Sequence, residues 1–583
     1  MNIFKQLHIK LQGIIHELKA EGALSESVNA AAVTVEPPRD PSHGDIATNA
    51  AMVLAGQAKK NPRDLASLIA KKLESLEEVA TVEIAGPGFI NLRLTPQSWL
   101  NVIPAILSHG ICYGESDAGA GHKINVEYVS ANPTGPLHVG HSRGAVYGDA
   151  LASLLKFVGY DVTREYYIND AGAQVDVLAR SAYLRYREAC GETVEIPKGL
   201  YPGAYLIPVG QALKQAHGTT LMTMGEPQWL PVVKPFAISQ MLTLIKHDLA
   251  DLGIHHDVFV SEQSLHDAGK IQQAIALLGE KGLIYRGVLE PPKGKLPDDW
   301  EEREQLLFKS TAYGDDVDRA LQKPDDSYTY FAADLAYAQD KIARGFATLV
   351  YMLGADHGGY KKRMEAAVSA LSDKQVNADI KLCQLVNLFK DGEPLKMSKR
   401  AGNFETVRDV LDTVGKDILR FIMLTRKSDM VMDFDMDKVK EQSKENPVFY
   451  VQYAHARAKS LLRLAEEQSP QALEMSQVPT QELLALLSQD QEMALIRDLA
   501  SYPRMVEAAA AACEPHRVAY YLQELAASFH GLWNSGNQEE GLRFIVASQP
   551  QLTAARLALA RAVAIVVASG LSILGVEPAE ELR

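Results

Sequence analysis

Residues Asn125–Tyr160 read NVEYVSANPTGPLHVGHSRGAVYGDALASLLKFVGY. The β-rich, alternating start predicts a strand through Ser130. Asn132-Pro133-Thr134-Gly135-Pro136 predicts a loop, because two prolines and a glycine continue neither strand nor helix. From Ser142 the apolar residues Val146, Ala150, Leu151, Leu154, Leu155 and Val158 recur at helical spacing, and Gly159 stops that helix. Tyr160–Ile168 then predicts a second strand. The unit is βαβ, with His138-Val139-Gly140-His141 where its helix begins. Free backbone N–H groups and the partial positive charge at a helix start attract phosphate. Gly140 lets a nucleotide approach the backbone, and two histidines one turn apart can donate to phosphate oxygens. By itself, the four-residue pattern is equally well explained by two incidental histidines on a strand-loop-helix unit.

A second stretch shifts that balance. Lys396-Met397-Ser398-Lys399-Arg400-Ala401-Gly402-Asn403 follows a strand-like run, Ile380–Leu388, and a turn at Asp391-Gly392. A basic loop alone is usually a solvated face. HVGH and KMSKR together, in this order, resemble the two signatures of class I aminoacyl-tRNA synthetases. The HIGH-type region then runs through Ala131, Asn132, Pro133, Thr134, Gly135, Pro136, Leu137, His138, Val139, Gly140 and His141.

The bulk numbers fit. At 583 residues the chain predicts three to four domains, and 47% hydrophobic with 23% charged residues is a soluble globular composition. The N-terminus mixes Lys and His into an amphipathic helix rather than a signal peptide. The apolar run Ala562–Val576 is too short to span a bilayer and predicts a buried helix ending near Gly575. Cys112, Cys190, Cys383 and Cys513 are too scattered for a zinc knuckle, so a reduced cytoplasmic protein without structural zinc is expected. A net charge of −14 argues against indiscriminate nucleic-acid binding, though local basic patches remain compatible with tRNA.

Residues 1–110 predict a separate α/β unit: an N-terminal helix, helices near 50–58 and 63–74, and strands Val79–Ile84 and Phe89–Leu94. The Gly- and Ala-rich stretch 110–121 reads as a linker. HGDIATNAAM and GPGFINLRL resemble the N-terminal appended domain of arginyl-tRNA synthetases, which contacts the outer corner of tRNA. The catalytic unit is expected over 118–440, with an insertion at 190–262 and a connector at 390–440. After its second strand, Asn169-Asp170-Ala171-Gly172-Ala173-Gln174 resembles the family's NDxGxQ element, although a helix-capping turn explains it as well. From 441 to 583 the periodicity is helical throughout. NPVFYVQYAHAR and RLALARAVAIVVASGLSILGV resemble the family's helical anticodon-binding domain.

The fold class is therefore multidomain: a doubly wound, Rossmann-like parallel sheet, an N-terminal α/β domain and a C-terminal helical bundle. The resemblance implies an arginine–tRNA ligase acting on ATP, L-arginine and tRNA(Arg), as a monomer. His138, Gly140 and His141 would bind ATP, as would Lys396, Met397, Ser398 and Lys399. His138, His141, Lys396 and Lys399 would stabilise charge on the reacting phosphates. Mg²⁺ would come with ATP. A guanidinium is best read by carboxylates. Glu127 and Asp334 match acidic arginine-binding positions of the family, and Asn132 and Tyr330 match their polar companions. Asp356 lies where some members carry glutamine. Asp334 could instead pair with Lys341 or Arg344. Two alternatives stay open: a class I synthetase for glutamate or cysteine, disfavoured by the two acidic candidates and the missing zinc cysteines, and a silent tRNA-binding paralogue, which would be expected to lose HVGH or KMSK.

Overall fold

The computed structural model describes residues 2–289, 303–395, 405–441, 443 and 445–582. Lys396, Met397, Ser398 and Lys399 lie outside them. Among the described residues, five parallel strands form the central sheet: β1 (Lys123–Glu127), β2 (Asp161–Ile168), β3 (Val258–Ser261), β4 (Thr348–Gly354) and β5 (Asn377–Cys383). Their order is β5-β4-β1-β2-β3. The chain winds outward from β1 to β3, crosses back to β4 and winds outward the other way. Ligands of such sheets bind beyond the carboxyl ends of the strands where the winding reverses, here between β1 and β4.

The HVGH helix runs Val139–Phe157 and buries residues on all its sides, including Arg143 and Asp149. It follows β1 as predicted, but β1 ends earlier. Val129 and Ser130 take φ of 70° and 39°, in the left-handed region that a β-branched residue resists. Three bonds hold this turn: Ser130 Oγ donates to Glu127 Oε1 (3.1 Å), the Tyr167 N–H donates to Ser130 Oγ (3.1 Å), and the Tyr166 hydroxyl donates to the Ala131 carbonyl (2.7 Å).

Other expectations need correcting. The segment predicted as an insertion, 190–262, ends in β3, the edge strand of the sheet. Its long helix begins at Glu226 rather than Phe236, because Pro231 and Pro235 sit on its exposed face, where carbonyls that lose their bond turn to water. The run Ile380–Leu388 is two strands. β5 ends at Cys383, and Val386–Lys390 pairs instead with Met432–Asp435 in a separate small sheet. The stretch 110–121 is no free linker: Gly119 and Gly121 donate to the Val158 and Gly159 carbonyls at the end of the HVGH helix, and Tyr113 is fully buried.

The N-terminal unit is a four-stranded antiparallel sheet with helices Ile3–Ala20, Ala50–Ala58 and Pro62–Leu73. Its strands Val35–Glu36 and Ile46–Thr48 are too short to show a period in the sequence. The C-terminal bundle is built on Pro447–Gln468, Asp490–Ala511, His516–Gln538 and Pro550–Ile573. The last is apolar and long enough to cross a membrane, but 78% of its most apolar window is buried, as expected of a bundle's core helix.

Candidate active site

The HVGH segment is bolted down on both sides. His138 caps the helix, and its backbone N–H donates to His141 Nδ1 (3.2 Å), while the two imidazoles stack with centroids 3.8 Å apart. That bond leaves His141 Nε2 to carry the proton of the neutral ring. Gly140 is needed because a Cβ there would meet the His138 ring at 2.9 Å. The Leu137 N–H donates to buried Asp248 (3.0 Å).

The residues just beyond KMSKRAGNF pair with this segment. His138 and Thr406 form an antiparallel bridge, the Val139 N–H donates to the Glu405 carbonyl (3.3 Å), and the Val407 N–H donates to the Leu137 carbonyl (2.9 Å). Two stretches more than 250 positions apart in the chain are thus hydrogen-bonded neighbours. Two residues past His141, Arg143 is fully buried and donates to the Gln384, Lys427 and Met430 carbonyls, fastening the helix to the chain that flanks β5.

Across the switch point lie four carboxylates. Glu127, at the end of β1, is buried and bonds Lys341 Nζ at 2.6 Å. Glu165, on β2, takes a bidentate pair of bonds from Arg344 (2.7 and 2.7 Å), one from the Tyr337 hydroxyl (2.6 Å) and one from Asn125 (2.8 Å). Burial alone would raise the Glu165 carboxyl, but Arg344, Lys341 and Tyr337 outweigh it and hold it below the usual range. Lys341 and Arg344 are therefore committed to Glu127 and Glu165, and neither pairs with Asp334.

Asp334 stands on the helix Tyr330–Ala343, half-buried, with no lysine or arginine in ion-pair contact among the described residues. Burial pushes its carboxyl up to about 7. Tyr360 and, more weakly, the Arg363 guanidinium oppose this rise, and the nearby Glu262 and Glu127 carboxylates add to it. Glu262, which the sequence reading passed over, is buried at the start of Glu262–Asp267. Burial raises its carboxyl, and the basic side chain facing it is the His266 imidazole at 3.8 Å. Its only sequence signal was the Ser261 cap.

The remaining candidates fall around this cluster. Asn132 Nδ2 donates to Gln174 Oε1 (3.0 Å), joining the HVGH loop to the NDAGAQ element. Asp170 of that element accepts from Ser261 Oγ (2.6 Å) and the Gln263 N–H (2.8 Å), so it fixes β2 to β3. Tyr330 is 62% exposed, and its hydroxyl faces Gly172 across the cleft. Asp356 is the outlier: its side chain is 83% exposed and touches His357 at 3.7 Å.

Family profiles match along the chain in the same order as these units. They are described as the arginyl-tRNA synthetase N-terminal domain (residues 5–94), the class I (R) catalytic domain (102–197), class I synthetases for I, L, M and V (326–437) and the DALR anticodon-binding domain (451–582). The chain is 58% identical over 587 residues to the arginine–tRNA ligase of Ruegeria pomeroyi, covering all of both chains. It belongs to the arginyl-tRNA synthetase family. A second member of that family, the arginine–tRNA ligase of Roseobacter denitrificans, is 58% identical over 583 residues, again covering both chains in full. The arginyl-tRNA synthetase of Thermus thermophilus shares the fold, with a TM-score of 0.70 at 21% identity and full coverage of both chains.

Proposed function

We propose that the chain joins L-arginine to tRNA(Arg) at the switch point between β1 and β4. The observation that carries this reading is the unequal neutralisation of the buried carboxylates. Glu127 and Glu165 are ion-paired with cations of the protein itself, whereas Asp334 has no ion-paired cation among the described residues, only the more distant Arg363, and burial pushes its carboxyl up to about 7. A planar, permanently charged guanidinium supplies what Asp334 lacks. A neutral analogue would leave the Asp334 carboxyl without the donor it needs, which a site built for hydrogen bonding rejects.

Two displacements follow. A carboxylate oxygen of arginine attacks the α-phosphorus of ATP and pyrophosphate departs. The terminal ribose 2′-hydroxyl of tRNA then attacks the acyl carbon and AMP departs. His138 and His141 hold ATP phosphates at the helix start and stabilise charge as it develops, and Gly140 keeps the His138 ring in place. Lys396 and Lys399, with Met397 and Ser398, serve the departing pyrophosphate. Glu127, Asn132, Tyr330 and Asp334 read arginine, with Asp356 at the rim. Mg²⁺ enters with ATP as substrate. Among the described residues no three His, Cys, Asp or Glu are grouped so as to hold a metal.

The domains are read as 1–110 and 441–583 for tRNA, and 118–440 for the chemistry. The protein is read as a cytoplasmic monomer with no membrane partner. ATP–pyrophosphate exchange with each amino acid, with and without total tRNA, tests the assignment. Arginine alone should support exchange. Exchange with another amino acid would overturn the reading of Asp334, and no exchange by a folded protein that binds tRNA would favour a silent paralogue.

A further inference from the structure

Tyr351 lies in β4 directly beside Glu127 of β1 in the sheet register, so the two side chains leave the same face of the sheet as neighbours. Its side chain is 4% exposed, and its hydroxyl has no hydrogen-bond partner among the described residues. The ring is committed elsewhere. Together with Tyr337 it sandwiches the Lys341 ammonium, with ring centres 4.1 and 4.2 Å away. Asp334, Tyr337 and Lys341 are spaced i, i+3 and i+7 on one helix, and this stripe lies over Glu127 and Tyr351. The Tyr351 side chain is thus close enough to both Glu127 and Asp334 to feel their charges.

A buried hydroxyl with no partner destabilises the fold, and a core that needed only shape here would be better served by phenylalanine. The surrounding carboxylates rule out an incoming anion. A guanidinium carries hydrogen-bond donors only. It therefore needs acceptors, and a phenol oxygen can accept one N–H.

We infer that Tyr351 is a specificity-determining residue for arginine, its hydroxyl oxygen accepting an N–H of the bound guanidinium. The inference rests on the arginine pocket assigned above. Burial, with Glu127 and Asp334 close by, holds the phenol far above its ordinary range, so it stays protonated at every working pH.

Tyr351→Phe separates this from a packing role, because the two effects have opposite signs. Thermal unfolding is measured without ligand, and arginine affinity by equilibrium dialysis with saturating total tRNA. Removing an orphaned hydroxyl should leave the free protein as stable as wild type or more so, while arginine affinity falls tenfold or more and kcat at saturating arginine stays within about threefold. Arginine affinity within twofold of wild type would overturn the inference, as would loss of stability and affinity together. Tyr360→Phe is the comparison: it removes a hydroxyl that already serves Asp334 and should lower stability and affinity together. If wild type binds no arginine, the pocket assignment fails instead.

Discussion

Arg420 Nη2 donates to Asp149 Oδ2 at 2.6 Å, with the arginine side chain fully buried and that of the aspartate 8% exposed. The bond joins the connector to the HVGH helix. Its other guanidinium nitrogens donate to the carbonyl of Leu252, at the end of the long inserted helix (2.8 Å), and of Leu574, at the end of the bundle (2.9 Å). One side chain closes four units around the base of the catalytic helix. Breaking such a buried pair from one side costs about 3–5 kcal/mol, mostly through the charge left behind. Arg420→Ala should lower stability by that amount in denaturant unfolding. Gly575→Ala should act on the same joint, since its φ is +68° and a Cβ would fall 2.2 Å from Arg420 Nη2. If the two losses add fully in the double variant, the joint is not a single unit.

Gly140→Ala should separate catalysis from stability. The position is exposed, so an added methyl disturbs no core, yet it collides with the His138 ring at 2.9 Å. A displaced imidazole misplaces a group needed on the phosphates. A tenfold or larger fall in the exchange rate is expected, with a melting temperature within about 2 °C of wild type. An unchanged rate would remove His138 from the mechanism.

The HVGH helix and the bundle were legible in the sequence because each carries a long run of apolar residues at helical spacing, whereas the sheet's strands are only four to eight residues long. The pocket was legible only as residue types. Glu127 and Asp334 look alike in the chain, and only the fold gives Lys341 to one and, among the described residues, no ion-paired cation to the other. Glu262 escaped notice because its importance comes from β3, four residues long and hidden at the end of a stretch that reads as inserted. The break between Cys383 and Val386 was invisible for a related reason. Both halves are apolar strands, and the partner that captures the second, Met432–Asp435, is distant in sequence.

Lys341→Met should leave Glu127 buried without its cation. A loss of about 3–5 kcal/mol is expected. Glu127→Gln in the same chain should recover part of that stability, because the uncompensated charge is gone. Arginine binding should not recover with it, since a carboxylate of the pocket is gone as well. Denaturant midpoints and equilibrium dialysis on the four proteins of the cycle check this. Recovery of arginine affinity alongside stability would show that Glu127 is structural only.

The Asp334 carboxyl, ordinarily at 3.8, is pushed up to about 7 by burial and by Glu262 and Glu127. In the arginine-free protein it therefore keeps its proton until near neutrality. A guanidinium favours the ionised form, so binding below pH 7 must expel that proton. Affinity should fall about tenfold per pH unit below 7 and level off above it, with proton release approaching one at pH 6 and vanishing by pH 8.5. Titration calorimetry in buffers of different ionisation enthalpy reads the release directly. The same shift affects folding with a definite sign. The folded state holds a proton that the unfolded chain has lost, so this group's contribution to stability is greatest below 3.8 and declines as pH rises to about 7. Asp334→Asn should abolish that slope, raise the melting temperature at pH 8 by several degrees, and lose both arginine binding and proton release. Proton release that survives the substitution would place the titrating group elsewhere.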